Sequence, residues 1–303
     1  MNMTTNDYLD SILANQTLQD GSDELKALQE RRAEVEKLLR DYFNESTPTI
    51  RYGGSKAKGT MIRESYDLDI ICYFPHDETV AGETLEEIYN NVHKALSSKY
   101  LVEPKPSALR IKDANPKNRG FDFHIDVVPG RFTDETKSDT FLYQANGEKS
   151  RLKTNLEMHI NHVKESGVAD AVRLFKLWKV RNALSIKNFV LELAVIKLLK
   201  GKADAPLATQ LELVWTVFRD QIDNLSVEDP ANPTGNDLSE LFSTSTKSQL
   251  GAVARRTLDT ISKSGWGTVF GSVESRSNME RVEVLERAAA AVMTPSRPWC
   301  PEE

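Results

Sequence analysis

Cysteine is scarce in this chain. Cys72 and Cys300 are its two copies in 303 residues and stand far apart, so no disulfide framework can carry the fold. Neither has His or Cys neighbours at zinc-ligand spacing, and Cys72 reads as filler of a buried strand. Long apolar runs are also missing. The longest, such as Phe189 to Ile196, fall well short of the ~20 residues a membrane-spanning helix needs. Residues 1–20 are polar and acidic without the apolar core of a signal peptide. The expectation is a cytoplasmic protein that does not engage a membrane. Positive charge is in deficit, with 39 Lys and Arg against 45 Asp and Glu and a net charge of −6. Binding to long nucleic acid rests on many basic contacts to phosphates, so that class of partner is disfavoured, whereas small nucleotides are not.

What is present suffices for two packed layers or two domains, since 39% of the residues are hydrophobic and a chain of this length can bury more than one core. Leu25, Leu28, Val35, Leu38, Leu39 and Tyr42 recur at helical spacing and predict one long amphipathic helix over Asp23 to Phe43. After Pro48 the segment Thr49 to Tyr52 reads as a strand, then Gly53, Gly54 and Ser55 as a tight turn leading into a helix. Tyr66 to Phe74 and Phe121 to Val128 read as strands, with a helix over Leu85 to Leu96 between them. Beyond Lys149 the pattern turns helical: Leu152 to Lys164, Asp170 to Val180, Phe189 to Leu199, Leu207 to Ile222 and Gln249 to Ser262. Glu228 to Asn236 reads as a surface loop, and residues from Met293 onward as a loose tail. The fold class is α+β: a mixed catalytic core over residues 1–150, then a helical domain over 151–303 that completes a cleft.

Three pieces carry chemistry: Gly54-Ser55 in the glycine turn, Asp67-Leu68-Asp69 on one strand, and Asp126 on another. Side chains alternate along a strand, so Asp67 and Asp69 share a face while Leu68 and Ile70 enter the core. Asp122, His124 and Asp126 likewise share a face of the later strand, so strand pairing can add a third carboxylate. Three anions together are costly unless cations neutralise them, and an all-oxygen donor set suits magnesium. Two ions about 3.5–4 Å apart would hold both oxygens of an in-line displacement at phosphorus. The Ser55 hydroxyl and the N–H groups of the glycine turn can cradle phosphates. Singly, a Gly-Gly-Ser turn or an Asp-x-Asp pair is ordinary; joined, with Asp67 twelve positions after Ser55, they are specific. His124 reads better as a structural hydrogen-bonder than as a catalytic group.

The segments Gly53-Gly54-Ser55-Lys56-Ala57-Lys58-Gly59-Thr60, Asp67-Leu68-Asp69-Ile70 and His124-Ile125-Asp126-Val127-Val128-Pro129 resemble the DNA polymerase β superfamily of nucleotidyltransferases. Arg173-Leu174-Phe175-Lys176-Leu177-Trp178-Lys179, followed by Asn188-Phe189-Val190-Leu191-Glu192-Leu193, narrows the resemblance to bacterial cyclic GMP-AMP synthase-like enzymes (CD-NTases), relatives of oligoadenylate synthases. The similarity spans roughly Thr49 to Leu199, with the helix Asp23 to Phe43 matching the family's spine helix and a fainter echo at Gly265 to Gly271.

That resemblance implies an enzyme making cyclic di- or trinucleotide signals from ATP or GTP in antiphage defence. It implies two Mg²⁺ ions on Asp67, Asp69 and Asp126, and leaves room for a regulatory protein partner. It places Asp126, before Val-Val-Pro, as third ligand and leaves Asp122 at the rim. It also maps a triphosphate-binding lysine onto Lys179, with Lys176 as the alternative one helical turn away, and puts Asn188 where the family commonly has a serine that touches the donor triphosphate. Without the resemblance, Lys176 and Lys179 read as the solvated face of a helix. Two rival functions remain: a transferase extending tRNA 3′ ends, which a basic face would support, and a catalytically dead nucleotide sensor, against which the three aspartates speak.

Overall fold

The computed structural model describes residues 3–19, 21–112, 125–145 and 149–273. It opens with α1 (Thr5–Asn15), whose N-terminus is closed by a capping box between Thr4 and Asp7. The long α2 (Asp23–Tyr42) starts at Ser22, whose hydroxyl accepts from the Leu25 amide, and buries Leu25, Leu28, Val35 and Leu39 along one stripe. Next come β1 (Thr49–Tyr52), α3 (Gly54–Lys58), β2 (Leu68–Phe74), α4 (Leu85–Ser97), β3 (Leu101–Pro104), β4 (Leu109–Lys112), β5 (Ile125–Phe132), β6 (Thr140–Tyr143) and β7 (Arg151–Thr154). The rest is helical: α5 (Leu156–Lys164), α6 (Ala169–Arg181), α7 (Asn188–Leu198), α8 (Leu207–Asp220), α9 (Thr244–Ser264) and α10 (Gly267–Phe270).

The sheet runs β1-β2-β5-β4-β3, with β6 and β7 continuing from the end of β5. It is mixed, because β2 and β5 are parallel while the other neighbours are antiparallel. Strand alternation divides its faces. Ile70, Cys72 and Phe74 of β2 and Ile125 and Val127 of β5 join Leu28, Val35, Leu39, Ile88 and Val92 of α2 and α4 in one core. The opposite face carries Asp69 and Asp126, followed by a small apolar cluster of Ile71, Tyr73, Phe132 and Leu142. A second, larger core surrounds Phe175, Trp178, Trp215 and Phe218. Leu9, Ile12 and Leu13 of α1 belong to this second core, as does Ile62 from the loop before β2.

Several sequence expectations shift. Leu152 is in a strand rather than a helix, because Arg151–Thr154 pairs with β6 and the helix begins only after Asn155, whose side chain accepts from the Met158 amide. Tyr66 and Asp67 precede β2 instead of lying in it. The strand expected to end at Val128 continues to Phe132, while its expected part from Phe121 to His124, including Asp122, lies outside the described residues, as do Cys300 and the tail from Met293. Helix α1 and strands β3, β4 and β6 were not legible as elements.

Candidate active site

The glycine turn is built against the first strand of the acid cluster. Gly53 donates its amide to the Asp69 carbonyl at 2.8 Å, which lays the turn across β2. Gly54 follows with φ +48°, and a Cβ there would fall 1.6 Å from Asp69 Oδ2. Only glycine combines that conformation with so close an approach. Ser55 comes next, half-buried in α3, which ends at Gly59 in a left-handed conformation.

Register then assembles the acids. Asp69 on β2 is the direct neighbour of Asp126 on β5, and Asp67 lies two residues before Asp69, exposed at the strand's start. Burial, then the carboxylates of Asp126 and Asp67, push the Asp69 pKa up to about 7. The sheet adds a cation that the sequence reading missed: Arg110 on β4 lies opposite Asp126. Its Nε donates to Asp126 Oδ1 at 2.7 Å and its Nη2 to Asp126 Oδ2 at 2.9 Å, while Nη2 also reaches Asp67 Oδ2 at 3.3 Å. Among the described residues, no three acidic, His or Cys side chains gather tightly enough to hold an ion as they stand. The chemistry of the side chains nevertheless suits a hard cation: Asp69 and Asp126 are lateral neighbours, Asp67 is close enough to raise Asp69, and all three offer oxygen donors.

The helical segment brings a lysine near these acids. Asn188 opens α7, and its Oδ1 accepts from Lys179 Nζ at 2.6 Å. Burial, with Lys176 and Lys187 nearby, lowers Lys179 to about 8, partly opposed by Asp67. An incoming polyanion would favour its charged form.

Lys176 is placed differently. Its side chain is buried, with Nζ 2.5 Å from Glu192 Oε1 and donating to Thr60 Oγ1 at 2.8 Å and to the Thr60 carbonyl at 3.1 Å. Lys58 Nζ meets Glu192 Oε2 at 2.5 Å, and Thr60 Oγ1 donates to Glu192 Oε1 at 2.9 Å. Burial alone would raise Glu192, but Lys176 and Lys58 outweigh it and bring it to about 2. Two ammonium groups thus flank one firmly ionised carboxylate, and α3 is bound to α6 and α7 beneath the turn.

The loop leading to Asp67 is tied in the same manner. Arg63 Nε donates to Glu24 of α2 at 2.9 Å. Glu64 accepts from Arg181 Nε of α6 at 3.0 Å and from Gln16 at 2.8 Å. Glu192 had a legible signal, since a lone charge inside the apolar run of α7 must find a buried partner. Arg110 gave no comparable signal, because β4 is four residues long and its register opposite Asp126 is a tertiary fact.

Residues 3–166 match the family model described as the Second Messenger Oligonucleotide or Dinucleotide Synthetase domain. The chain belongs to that family. The cyclic AMP-AMP-AMP synthase of Escherichia coli (strain MS 115-1) is 25% identical over 252 residues, spanning 72% of this chain and 76% of the relative. The fold is shared with E. coli MS115-1 CdnC in its complex with HORMA-deltaN, at TM-score 0.65 and 20% identity, covering 90% of this chain and 99% of that one. It is shared also with Bradyrhizobium diazoefficiens CdnG in complex with GTP, at TM-score 0.64 and 16% identity, covering 94% and 97%. The protein is therefore a CD-NTase, a nucleotidyltransferase of the second-messenger oligonucleotide or dinucleotide synthetase family that shares the fold of these solved structures.

Proposed function

We propose that this CD-NTase joins ATP, alone or with GTP, into a cyclic di- or trinucleotide second messenger with release of pyrophosphate, using two magnesium ions at Asp67, Asp69 and Asp126. The observation that carries this reading is the lateral register of Asp69 and Asp126, with the Gly54 backbone pressed against the Asp69 carboxylate. Magnesium, when bound, would neutralise the developing charge and lower the pKa of the attacking hydroxyl. The protein's own groups position: Ser55 and the turn amides hold the β and γ phosphates, Lys179 and Asn188 close on the triphosphate from the helical wall, and the three carboxylates fix the ions. Lys176, engaged with Glu192, supports this wall from below. The chain divides in function at about residue 150, with the nucleotide cleft between catalytic core and helical domain.

The name of the E. coli cyclic AMP-AMP-AMP synthase and the structure of E. coli MS115-1 CdnC with ATP support ATP as the donor. The CdnC complex with HORMA-deltaN supports a regulatory protein partner, and the family's second-messenger chemistry supports a signalling role, with antiphage defence implied by the resemblance to CD-NTases. No helix among the described residues is long and apolar enough to cross a membrane. The tRNA-extending alternative lacks the basic surplus it needs, and the dead-sensor alternative lacks a missing acid. Purified protein incubated with ATP, GTP and Mg²⁺, with and without its partner, tests the reading through pyrophosphate release and mass spectrometry of the product. Linear products alone would contradict it.

Two expectations arise directly. Ser55→Ala should reduce kcat/KM for the donor nucleotide by about one to two decades, the worth of one charge-assisted hydrogen bond. A change below twofold, at unchanged Mg²⁺ dependence, would place Ser55 outside the phosphate site. The second expectation concerns pH. With Asp69 near 7 when folded, against an ordinary carboxyl value near ~3.9, the native state holds an extra proton across that window. Stability of the metal-free protein therefore falls as pH rises through it. Cation binding needs the ionised form, so Mg²⁺ affinity should rise up to about tenfold per pH unit until about pH 7. Calorimetry between pH 5.5 and 8 would reveal a flat affinity if Asp69 were not a ligand.

A further inference from the structure

We propose that Arg110 is a built-in counterion of the catalytic carboxylates, which cation entry must displace, so that metal binding and release of Arg110 are one event. The inference rests on the two-metal reading above and concerns a residue outside the motifs that suggested it. Across the sheet, Arg110, Asp126 and Asp69 stand side by side on β4, β5 and β2. The guanidinium grips both oxygens of Asp126 and touches Asp67 Oδ2 as well. Its side chain is 18% exposed and that of Asp126 is 15% exposed, so the pair is largely withdrawn from water. This bidentate geometry is the strong form of an ion pair, and removing one partner leaves the other charge buried and uncompensated.

One guanidinium therefore already sits against two of the three carboxylates expected to ligate magnesium, pairing fully with Asp126 and offsetting one of their two negative charges. A cation that takes the Asp126 oxygens competes with the guanidinium for their lone pairs, and the two positive charges repel at that distance. Arg110 is anchored on β4, so on release its head remains beside the cluster, with five N–H donors facing whatever polyanion accompanies the metal. The arrangement protects the metal-free fold from its own anionic cluster and weakens binding of a bare cation. Metal bound together with a triphosphate is disfavoured less, because the displaced guanidinium then gains a new anionic partner.

The test uses Mn²⁺ as a spectroscopic stand-in for magnesium, with binding to the full-length protein followed by electron paramagnetic resonance and the fold by thermal denaturation. Arg110→Met should bind Mn²⁺ about ten- to a hundredfold more tightly than the parent, the ratio expected when a charge-assisted bidentate competitor is removed. It should also melt at a lower temperature without metal and recover more of that loss when Mn²⁺ is added. Arg110→Lys, which keeps the charge but not the fork, should fall between the two. Unchanged or weaker Mn²⁺ binding in Arg110→Met would overturn the proposal and make Arg110 a support that orients Asp126. Asp69→Asn separates this failure from failure of the underlying reading. If Asp69→Asn abolishes Mn²⁺ binding while Arg110→Met leaves it unchanged, the metal site stands and the counterion role is refuted. If Mn²⁺ binding ignores Asp69→Asn, the metal site itself is wrong and the counterion role falls with it.

Discussion

Replacing Asp67 and Asp69 together by asparagine is expected to abolish pyrophosphate release, a loss of at least about three decades in turnover, because two ligands of the proposed metal pair disappear. The fold should survive. Asp69 lies on the face of the sheet away from the α2 and α4 core, Asp67 is exposed just before β2, and asparagine keeps the shape of each side chain. The exchange also removes a carboxyl that burial, with the Asp126 and Asp67 charges beside it, raises to about 7, offsetting the loss of the longer contact from Arg110 to Asp67. Circular dichroism and a melting curve close to the parent's would accompany the inactive enzyme. Retained turnover with an intact fold would eliminate the two-metal arrangement. Asp126→Asn alone should cost several decades, since this carboxylate is placed to serve the attacking hydroxyl.

A second large effect is expected far from any reacting atom. Glu192→Leu removes the anion from a site where Lys58 and Lys176 are buried around it. Stranding buried ammonium groups in this way costs about 3–5 kcal/mol, so the melting temperature should drop by several degrees. The double variant Glu192→Leu with Lys176→Met should recover part of that loss, because a well-packed apolar pair has no charge left to desolvate. Equal melting temperatures for parent and Glu192→Leu would show that this carboxylate is not what joins α3 to the helical half. Turnover should fall in Glu192→Leu beyond what the lost stability explains, since Thr60 and Lys58 hold the C-terminal end of the short helix that begins with Gly54 and Ser55.

Chemistry was more legible in the sequence than architecture. That Asp69 and Asp126 come side by side with Asp67 nearby was foreshadowed because residue spacing is a local property, and the glycine turn because Gly54 has a conformational reason to be there. The α2 spine was legible for the same reason: one apolar stripe over 20 residues is a strong periodic signal. Helix α1 escaped because its buried residues are only Leu9, Ile12 and Leu13, and their partners lie more than 150 residues away in α6 and α8. Strands β3, β4, β6 and β7 are four residues each, too short for alternation to stand out. Arg110 was invisible for a related reason. Its role comes from cross-strand register, which no window along the chain contains. The lysine pair shows the same limit: Lys176 and Lys179 are one turn apart and chemically alike, and only packing directs one to Glu192 and the other to Asn188.

Crystals soaked with Mn²⁺ and an ATP analogue that resists cleavage at the α-phosphate test the central claim most directly, since they do not depend on an activating partner. Anomalous difference density should show two peaks about 3.5–4 Å apart, bounded by Asp67, Asp69 and Asp126, with the γ-phosphate against Ser55 and Lys179. Nucleotide bound elsewhere, or bound in this cleft with no metal at Asp69, would contradict it.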